Sequence, residues 1–573
     1  MRRLRLSTVV LVSLFVIIAG RLVQIQLTEA DVYAANAMEQ RSVEIPLPAP
    51  RGSILDRTGA ILAHSVEARY VYADPSLVED PEAVAAQLSP LLGIQRSVLA
   101  EQMRPRTFDN GEPVRFVYLA RGVPIEIGDR VVELDIPGIG VRRDERREVP
   151  GHGLASNVIG FTGTDNGEDI VGRTGLEARY DAVLQGVDGV RIQEQGRSGE
   201  AIPNGYQRTT PARPGSSLQL TLDRDLQYAV QNALDAQMRQ MGAYFGAAVV
   251  LEARTGEILA LASWPTYDAA NPRNVTPEQL MDYATGAVVE PGSVHKAIVI
   301  AAALEEGIIT PESTPVVPPS IERGGEVYTD THPHDTRPMT IAGILAHSSN
   351  VGTIQIADEL GAQRLYEYQR AFGLGTSTSC GLPGEASGIV QPPENWSGSS
   401  YGSIPLGLGV AVTPLQMTAA YAAIANDGVW VQPHLVQGII NADGEFQPAE
   451  EPERRRVISE QTAAQMRQLL EAPVVAEGGT AHSAQIEGYR VAGKTGTGMR
   501  VVDGEYAPGD IASFVGMAPA DDPRFVVGVF AHVPSGGGGG VAGPVFADVM
   551  RFALQRYAVP PTGTTSPHFE IYA

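Results

Sequence analysis

Lysine is almost missing from this 573-residue chain: of its 43 basic residues only Lys296 and Lys494 are lysine, and the rest are arginine. Nucleotide composition explains a general swap of lysine for arginine, but not two positions that escape it. Arginine cannot be deprotonated in a protein, whereas a buried lysine shifts its pKa and offers a compact ammonium head. The two survivors therefore mark chemistry that arginine cannot perform. Cysteine is scarcer still. Cys380 stands alone, so no internal disulfide and no multi-cysteine metal site can form. Beside Ser379 and Gly381 it reads as a small packed residue. The ten histidines form no His-Glu-x-x-His cluster, and neither a catalytic metal nor a cofactor is expected. Excess positive charge is lacking too. A net charge of −23 argues against a nucleic-acid binder, which would show a basic patch. The arginine runs at Arg142–Arg147 and Arg454–Arg456 are interleaved with or flanked by acidic residues and read as solvated faces.

What is present centres on Pro291-Gly292-Ser293-Val294-His295-Lys296, the apolar run that follows to Leu304, and the closing Gly307. Proline and glycine punctuate the chain before Ser293, and serine is favoured at helix starts. The run after it has the length of a buried helix. Ser293 and Lys296, three apart, share one helical face. A serine hydroxyl is a weak nucleophile until a neighbouring base takes its proton. An apolar helix under a closed site lowers a lysine's pKa enough for it to be that base. Ser-x-x-Lys alone arises by chance about once or twice in an ordinary chain of this length; here it holds one of only two lysines. The other lies in Lys494-Thr495-Gly496-Thr497, which reads as a strand with glycine where a substrate backbone can approach. Between them, Ser348-Ser349-Asn350 falls at the junction of two helical patterns, Thr340–His347 and Val351–Leu360. Ser-x-x-Lys, Ser-x-Asn and Lys-Thr-Gly, in that order, match the set shared by penicillin-binding proteins and class A β-lactamases. His295 and His347 flank these motifs and read as packing residues.

At the start, Met1–Arg5 is basic and Thr8–Gly20 is apolar without a charge. The apolar pattern continues to Leu27, with Arg21 able to snorkel to the interface. The nearest small-x-small cleavage candidate, Ala35-Asn36-Ala37, lies too far beyond the run. The expectation is a cytoplasmic tail over 1–7, one transmembrane anchor over 8–27, and the remainder outside the cell. Residues 28–215 read as an extended α+β pedestal. It has a strand, turn and strand over Arg51–Ala63, helical spacing over Glu82–Met103 and a short helix within Gly172–Gly186. Ser198–Ser217 has linker composition. In the second domain, 216–559, a helix over Leu226–Met241 precedes a hairpin of Ala247–Glu252 with Glu257–Ser263. A helical middle is followed by strands at Lys494, Ile511–Met517 and Arg524–Val533. Strands at both ends with helices between predict one antiparallel sheet covered by helices, an α+β fold. Gly536–Gly540 reads as a mobile loop before a last helix over Pro544–Tyr557. The tail 560–573 lacks a core and is expected to be disordered.

On these motifs the chain resembles the class B penicillin-binding proteins, bitopic peptidoglycan D,D-transpeptidases, over nearly its full length. Glu290-Pro291-Gly292 matches the family's lead into the nucleophile. Arg51-Gly52, Asp56-Arg57, Gly59 and Gly175-Leu176-Glu177 match its dimerisation-type pedestal. Ser348–Gly352, Phe372–Gly375, Leu382–Glu385 and Val412–Gln416 look more like the division (septal) branch than the elongation branch. Two positions depart from the pattern: the usual Gly-Gln-Gly reads Gly407-Leu408-Gly409, and the alanine often following Lys-Thr-Gly-Thr is Gly498. No glycosyltransferase signature is found in the first two hundred residues, so sugar polymerisation is not expected.

The resemblance implies a penicillin-binding/serine β-lactamase-like transpeptidase domain, and a role for each motif residue. Ser293 attacks the carbonyl between the two terminal D-alanines of a stem peptide, and Lys296 accepts its proton. Ser348 relays a proton to the leaving D-alanine, while Asn350 orients Lys296 and the donor. Lys494 keeps the site cationic; Thr495, Gly496 and Thr497 bind the substrate, the two threonines gripping its carboxylate. The N–H groups of Ser293 and Thr497 form the oxyanion hole, and an amine from a neighbouring stem peptide resolves the acyl-enzyme. The implied partners are peptidoglycan stem peptides, β-lactams, the cytoplasmic membrane, divisome membrane proteins and a polytopic SEDS-type glycosyltransferase at the septum. The alternatives are an elongation-type transpeptidase, a D,D-carboxypeptidase, a β-lactamase, a β-lactam sensor and a non-catalytic divisome scaffold. No glutamate is assignable to a deacylating water. Sensors couple to further membrane segments or cytoplasmic domains, whereas about seven residues precede this span. A scaffold has little reason to keep Lys296.

Overall fold

The computed structural model describes residues 2–27, 42–108, 111, 113–165, 169–194, 202–203, 205–502 and 505–573. The cleavage candidate at Ala35–Ala37, the first residues of the pedestal and part of the linker stretch lie outside the described residues. Helix α1 (Arg2–Leu27) contains one 21-residue span, Leu6–Gln26, that is long and apolar enough to cross a membrane. At 1.5 Å per residue such a span rises about 31 Å, close to the hydrocarbon thickness of a bilayer.

The chain divides into two compact units that interleave in sequence. One comprises Met1–Arg51, Glu67–Glu145 and Gln185–Gly215; the other comprises Gly52–Val66, Arg146–Leu184 and Ser216–Ala573. In the first, Ser42–Leu47, Gly189–Glu194 and Gln207–Thr210 form a three-stranded antiparallel sheet. The helical spacing of the sequence over 82–103 becomes two helices, Pro81–Leu92 and Arg96–Gln102. Val71, Leu88, Leu99, Leu119 and Val131 build the core beneath them.

The second unit carries the chemistry. Helix α2 (Arg224–Met241) starts at Asp223, whose carboxylate accepts the N–H groups of Asp225 and Leu226. Strands β1 (Phe245–Glu252) and β2 (Ile258–Trp264) form the expected hairpin. Helices α3 (Lys296–Glu305), α4 (Ile341–Ala346), α5 (Asn350–Leu360) and α6 (Pro414–Ala425) make the middle. Strands β3 (Ala492–Gly498), β4 (Asp510–Ala518) and β5 (Phe525–Val533) and helix α7 (Gly538–Arg556) close it. The sheet runs in the order β2-β1-β5-β4-β3, antiparallel throughout, with Val249 opposite Gly528, Phe514 opposite Val529 and Lys494 opposite Val515. Both faces are covered. Ala247, Val249 and Leu251 point into a core shared with α3 and α6, while Ala248 and Val250 point into one shared with α2 and α7. Burial on two sides is why β5 reads, up to His532, as a continuous run without charge rather than an alternating one.

The motif segments 52–66 and 146–184 belong to this same unit. Asp56 accepts the Arg224 N–H at 3.1 Å, and Arg57 reaches the Tyr557 hydroxyl at 3.0 Å and Glu257 at 3.3 Å. Arg147 pairs with Glu177 at 2.7 Å, both buried, and donates to the Gly52 carbonyl at 2.7 Å. These residues brace the sheet domain itself.

Near the C-terminus two further expectations fail. The glycine run does not form a mobile loop: α7 begins at Gly538, six residues before Pro544. A Cβ at Gly538 would lie 2.0 Å from the Ser513 carbonyl, so glycine is what lets this helix start against β4. The tail is not disordered either. It folds back as a strap, with the Thr340 N–H donating to the Ile571 carbonyl at 3.0 Å and the Thr340 hydroxyl to the Glu570 carbonyl at 2.6 Å. Phe569, Ile571 and Tyr572 pack on the core around α4, and Arg337 stacks on the Tyr572 ring at 3.9 Å.

Candidate active site

Ser293 sits on a short 3₁₀ turn, Gly292–His295, that runs directly into α3. Nearly all of α3 is apolar and buried, and Lys296 is buried with it at 0% exposure. Its Nζ donates to the Ser348 carbonyl at 2.6 Å, to Asn350 Oδ1 at 2.7 Å and to Ser348 Oγ at 3.2 Å. Burial pushes its pKa down to about 7, against the pull of the Asp330 charge, which raises it. Three acceptors are what an ammonium with three donors requires. A neutral amine has two donors and a lone pair, so the longest of the three bonds, to Ser348 Oγ, is the one that can reverse. Ser293 Oγ opens on the cleft and has no hydrogen bond among the described residues. Ser293 thus lies on the 3₁₀ turn and Lys296 on the first residue of α3, while the amine's hydrogen bonds go to the Ser348–Asn350 turn.

That turn joins α4 to α5, with Ser348 at φ 55°, a left-handed conformation unusual for serine. It aims both the carbonyl and the hydroxyl of Ser348 at Lys296. What holds it is Asp330, which the sequence reading missed. One Asp330 oxygen accepts the N–H groups of Asn350 (2.6 Å) and Val351 (2.9 Å); the other accepts the Ser349 hydroxyl (2.6 Å) and lies 3.0 Å from His334 Nε2. Asn350 Nδ2 donates to the neighbouring Thr329 carbonyl at 2.8 Å. No local signal marks Asp330, because it caps a helix that starts twenty residues later, from the end of the hairpin Ser320–Arg323 with Glu326–Thr329. Asp330→Asn keeps the oxygen facing the two N–H groups and removes the charge. Acylation of the full-length protein by penicillin should slow about 10-fold at pH 7, the scale of one weakened charged hydrogen bond. With the carboxylate gone, Lys296 loses a proton more readily, so the acid limb of the pH profile should move to lower pH. A profile that keeps its shape would mean that Asp330 only holds the turn.

The third motif lies on β3, the edge strand of the sheet, with one row of its backbone groups free for a substrate. Lys494 is fully buried, and Nζ reaches the Thr495 carbonyl at 3.1 Å and the Thr495 hydroxyl at 3.5 Å. Burial, and after it the Lys296 charge, push its pKa well below that of a free lysine. This direction runs against Lys494 keeping the site cationic by itself; a substrate carboxylate alongside would favour its charge. Thr495 Oγ1 donates to Thr480 at 2.7 Å, and Thr497 is exposed. Gly498 has a steric reason: a Cβ there would lie 2.0 Å from the Glu290 carbonyl, so an alanine would force β3 away from the nucleophile's lead-in. The cleft between these motifs measures about 540 Å³ and is lined by Ser293, Ser348, Asn350, Thr495, Gly496 and Thr497, with Gly537–Gly540 along one side.

His295 is the packing residue its neighbours implied. It is fully buried between Pro405 and Gln369, and burial lowers its pKa to about 4. His347 is not merely packed, for it lines the cleft and stacks on His332 at 4.8 Å. Cys380 is buried, which pushes its thiol pKa up and leaves it inert.

Residues 246–551 match the penicillin binding protein transpeptidase domain, and residues 46–220 match the penicillin-binding protein dimerisation domain. The chain is 36% identical over its whole length to the penicillin-binding protein PbpB of Mycolicibacterium smegmatis, of which it covers 93%. It is 31% identical to the peptidoglycan D,D-transpeptidase FtsI of Escherichia coli, over 96% of this chain and 90% of that one. A crystal structure of penicillin-binding protein 3 of Mycobacterium tuberculosis in complex with ampicillin matches 92% of this chain and 100% of its own, at TM-score 0.72 and 33% identity.

Proposed function

Because the chain belongs to the class B penicillin-binding proteins, we propose that it cross-links stem peptides of the septal wall through an acyl-enzyme on Ser293. The observation that carries this reading is the Lys296 amine: fully buried, poised near neutrality and bonded to both Ser348 and Asn350. In the first half-reaction Ser293 Oγ bonds to the carbonyl carbon between the terminal D-alanines, and its proton passes to neutral Lys296. The C–N bond then breaks, and Ser348 hands the proton to the departing amine. The N–H groups of Ser293 and Thr497 hold the developing oxyanion. Thr495, Thr497 and Lys494 hold the donor carboxylate, and Gly496 lets the donor lie along β3 as an added strand. In the second half-reaction the amine of a neighbouring stem peptide attacks the ester carbon. Its surplus proton passes through Lys296 to Ser293 Oγ, which leaves as a hydroxyl. One peptide bond breaks and one forms, so the exchange needs no external energy source. A β-lactam acylates Ser293 with a leaving group that stays tethered, and the site remains blocked.

Helix α1 would anchor the enzyme with its basic end in the cytoplasm and the chain that follows it outside. Divisome membrane proteins and a polytopic SEDS-type glycosyltransferase are the partners this placement fits. Given a stem pentapeptide donor and an amine acceptor, the full-length protein in detergent should release D-alanine in step with cross-linked product. D-Alanine released by water, with no cross-link, would make it a carboxypeptidase. A tagged copy gathered along the side wall instead of the septum would sink the septal role.

A further inference from the structure

A second cavity, of about 990 Å³, shares His332, His347 and Gly478 with the active-site cleft. One wall is Val475–Glu477; the other is the C-terminal strap from Ser566 to Tyr572. Its lining contains two carboxylates, Glu477 and Glu570, and three histidines, of which His568 lies 3.1 Å from Glu570, and neither lysine nor arginine. The cleft differs: hydroxyls and backbone amides line it, Lys494 is buried behind them, and no carboxylate is in its wall. The two reactants of the transfer differ in the same way. The donor ends in a carboxylate, whereas the acceptor brings a primary amine that is protonated at neutral pH.

On the transpeptidase reading, we propose that this second cavity is the acceptor subsite, taking the amine-bearing side chain of the second stem peptide between Glu477 and Glu570 and delivering it past His347 to the acyl group on Ser293. The carboxylates attract the ammonium at the mouth, while Val475 and Phe569 offer apolar surface to its aliphatic stem. Burial first, and then the neighbouring His332, lower the pKa of His347, so the shared wall presents no positive charge from that ring to an arriving ammonium. Inside, the ammonium gives one proton to solvent, and the free amine attacks as in the second half-reaction above. The strap thereby gains a purpose that its composition hides: it is the outer wall of a binding site.

The test separates the two half-reactions. Full-length protein in detergent receives a thioester donor, with Nα-acetyl-lysine amide as a carboxylate-free amine acceptor, and the ratio of aminolysis to hydrolysis is measured. Both carboxylates are exposed residues, so their reversal spares the core. Glu477→Lys with Glu570→Lys should label with fluorescent penicillin at the wild-type rate while the ratio falls about 10-fold, the effect of like charge on an approaching cation. The milder pair Glu477→Gln with Glu570→Gln should give a smaller fall in the same direction. Normal acylation with an unchanged ratio overturns the subsite. So does an equal fall in acylation and aminolysis, which would place the effect in the cleft. Failure of the wild type to acylate at all would instead strike the transpeptidase reading.

Discussion

Ser293→Ala should leave a folded, full-length protein that takes up no fluorescent penicillin and forms no cross-links. The substitution removes one oxygen from a turn that α3 and the buried Tyr421 hold in place, the latter donating to the Val294 carbonyl at 2.8 Å. The fold has no reason to change, and the same melting profile should confirm it. Activity should fall by about 10⁶-fold, the scale seen when a covalent nucleophile is deleted from a working site. The cleft wall holds five other serine and threonine residues, Thr331, Ser348, Thr480, Thr495 and Thr497, yet none lies at the start of α3. Covalent labelling that persists in Ser293→Ala would move the nucleophile to one of them.

Lys296→Arg should be as inactive as Lys296→Ala, although arginine keeps the charge and most of the bulk. A base must give up its own proton before it can take one from Ser293, and arginine does not do so in a protein. Loss of general-base assistance costs about 10²–10⁴-fold, and a buried guanidinium would also strain the space that three acceptors now define around Nζ. In the wild type, acylation should rise with pH through about 7, because the neutral amine is the working form and its fraction grows as pH passes that value. Turnover by the arginine variant within 10-fold of wild type, or a wild-type rate that declines across that range, would exclude Lys296 as the base.

How much of this was legible in the sequence depended on the distance over which each residue acts. Ser293 and Lys296 are legible because three residues across a helix start is a local relation, and because lysine here resists a bias toward arginine. The strands β1, β2, β4 and β5 are legible because apolar runs bounded by glycine and proline need no partner to be recognised. The boundaries of α4 and α5 follow for the same reason. Asp330 was not legible. Its role lies in oxygens that reach a helix start across an irregular stretch rich in histidine and proline, and no period marks such a contact. The tail failed for the opposite reason. Phe569, Ile571 and Tyr572 are too few to announce a core, and their partner Thr340 is 230 residues away. Where the glycine run goes was hidden likewise, since its closest neighbour is a carbonyl on another strand.

The burial of both lysines has a consequence for the outside of the molecule. An enzyme that hands acyl groups to primary amines presents no ε-amine of its own to solvent: Lys296 and Lys494 are both at 0% exposure, and the other 41 of the 43 lysine and arginine side chains are guanidinium groups. Amine-reactive dyes should therefore mark the folded protein at little beyond its α-amino group and brighten only as it denatures. The same bareness means that its own surface cannot compete with the wall for the bond it makes.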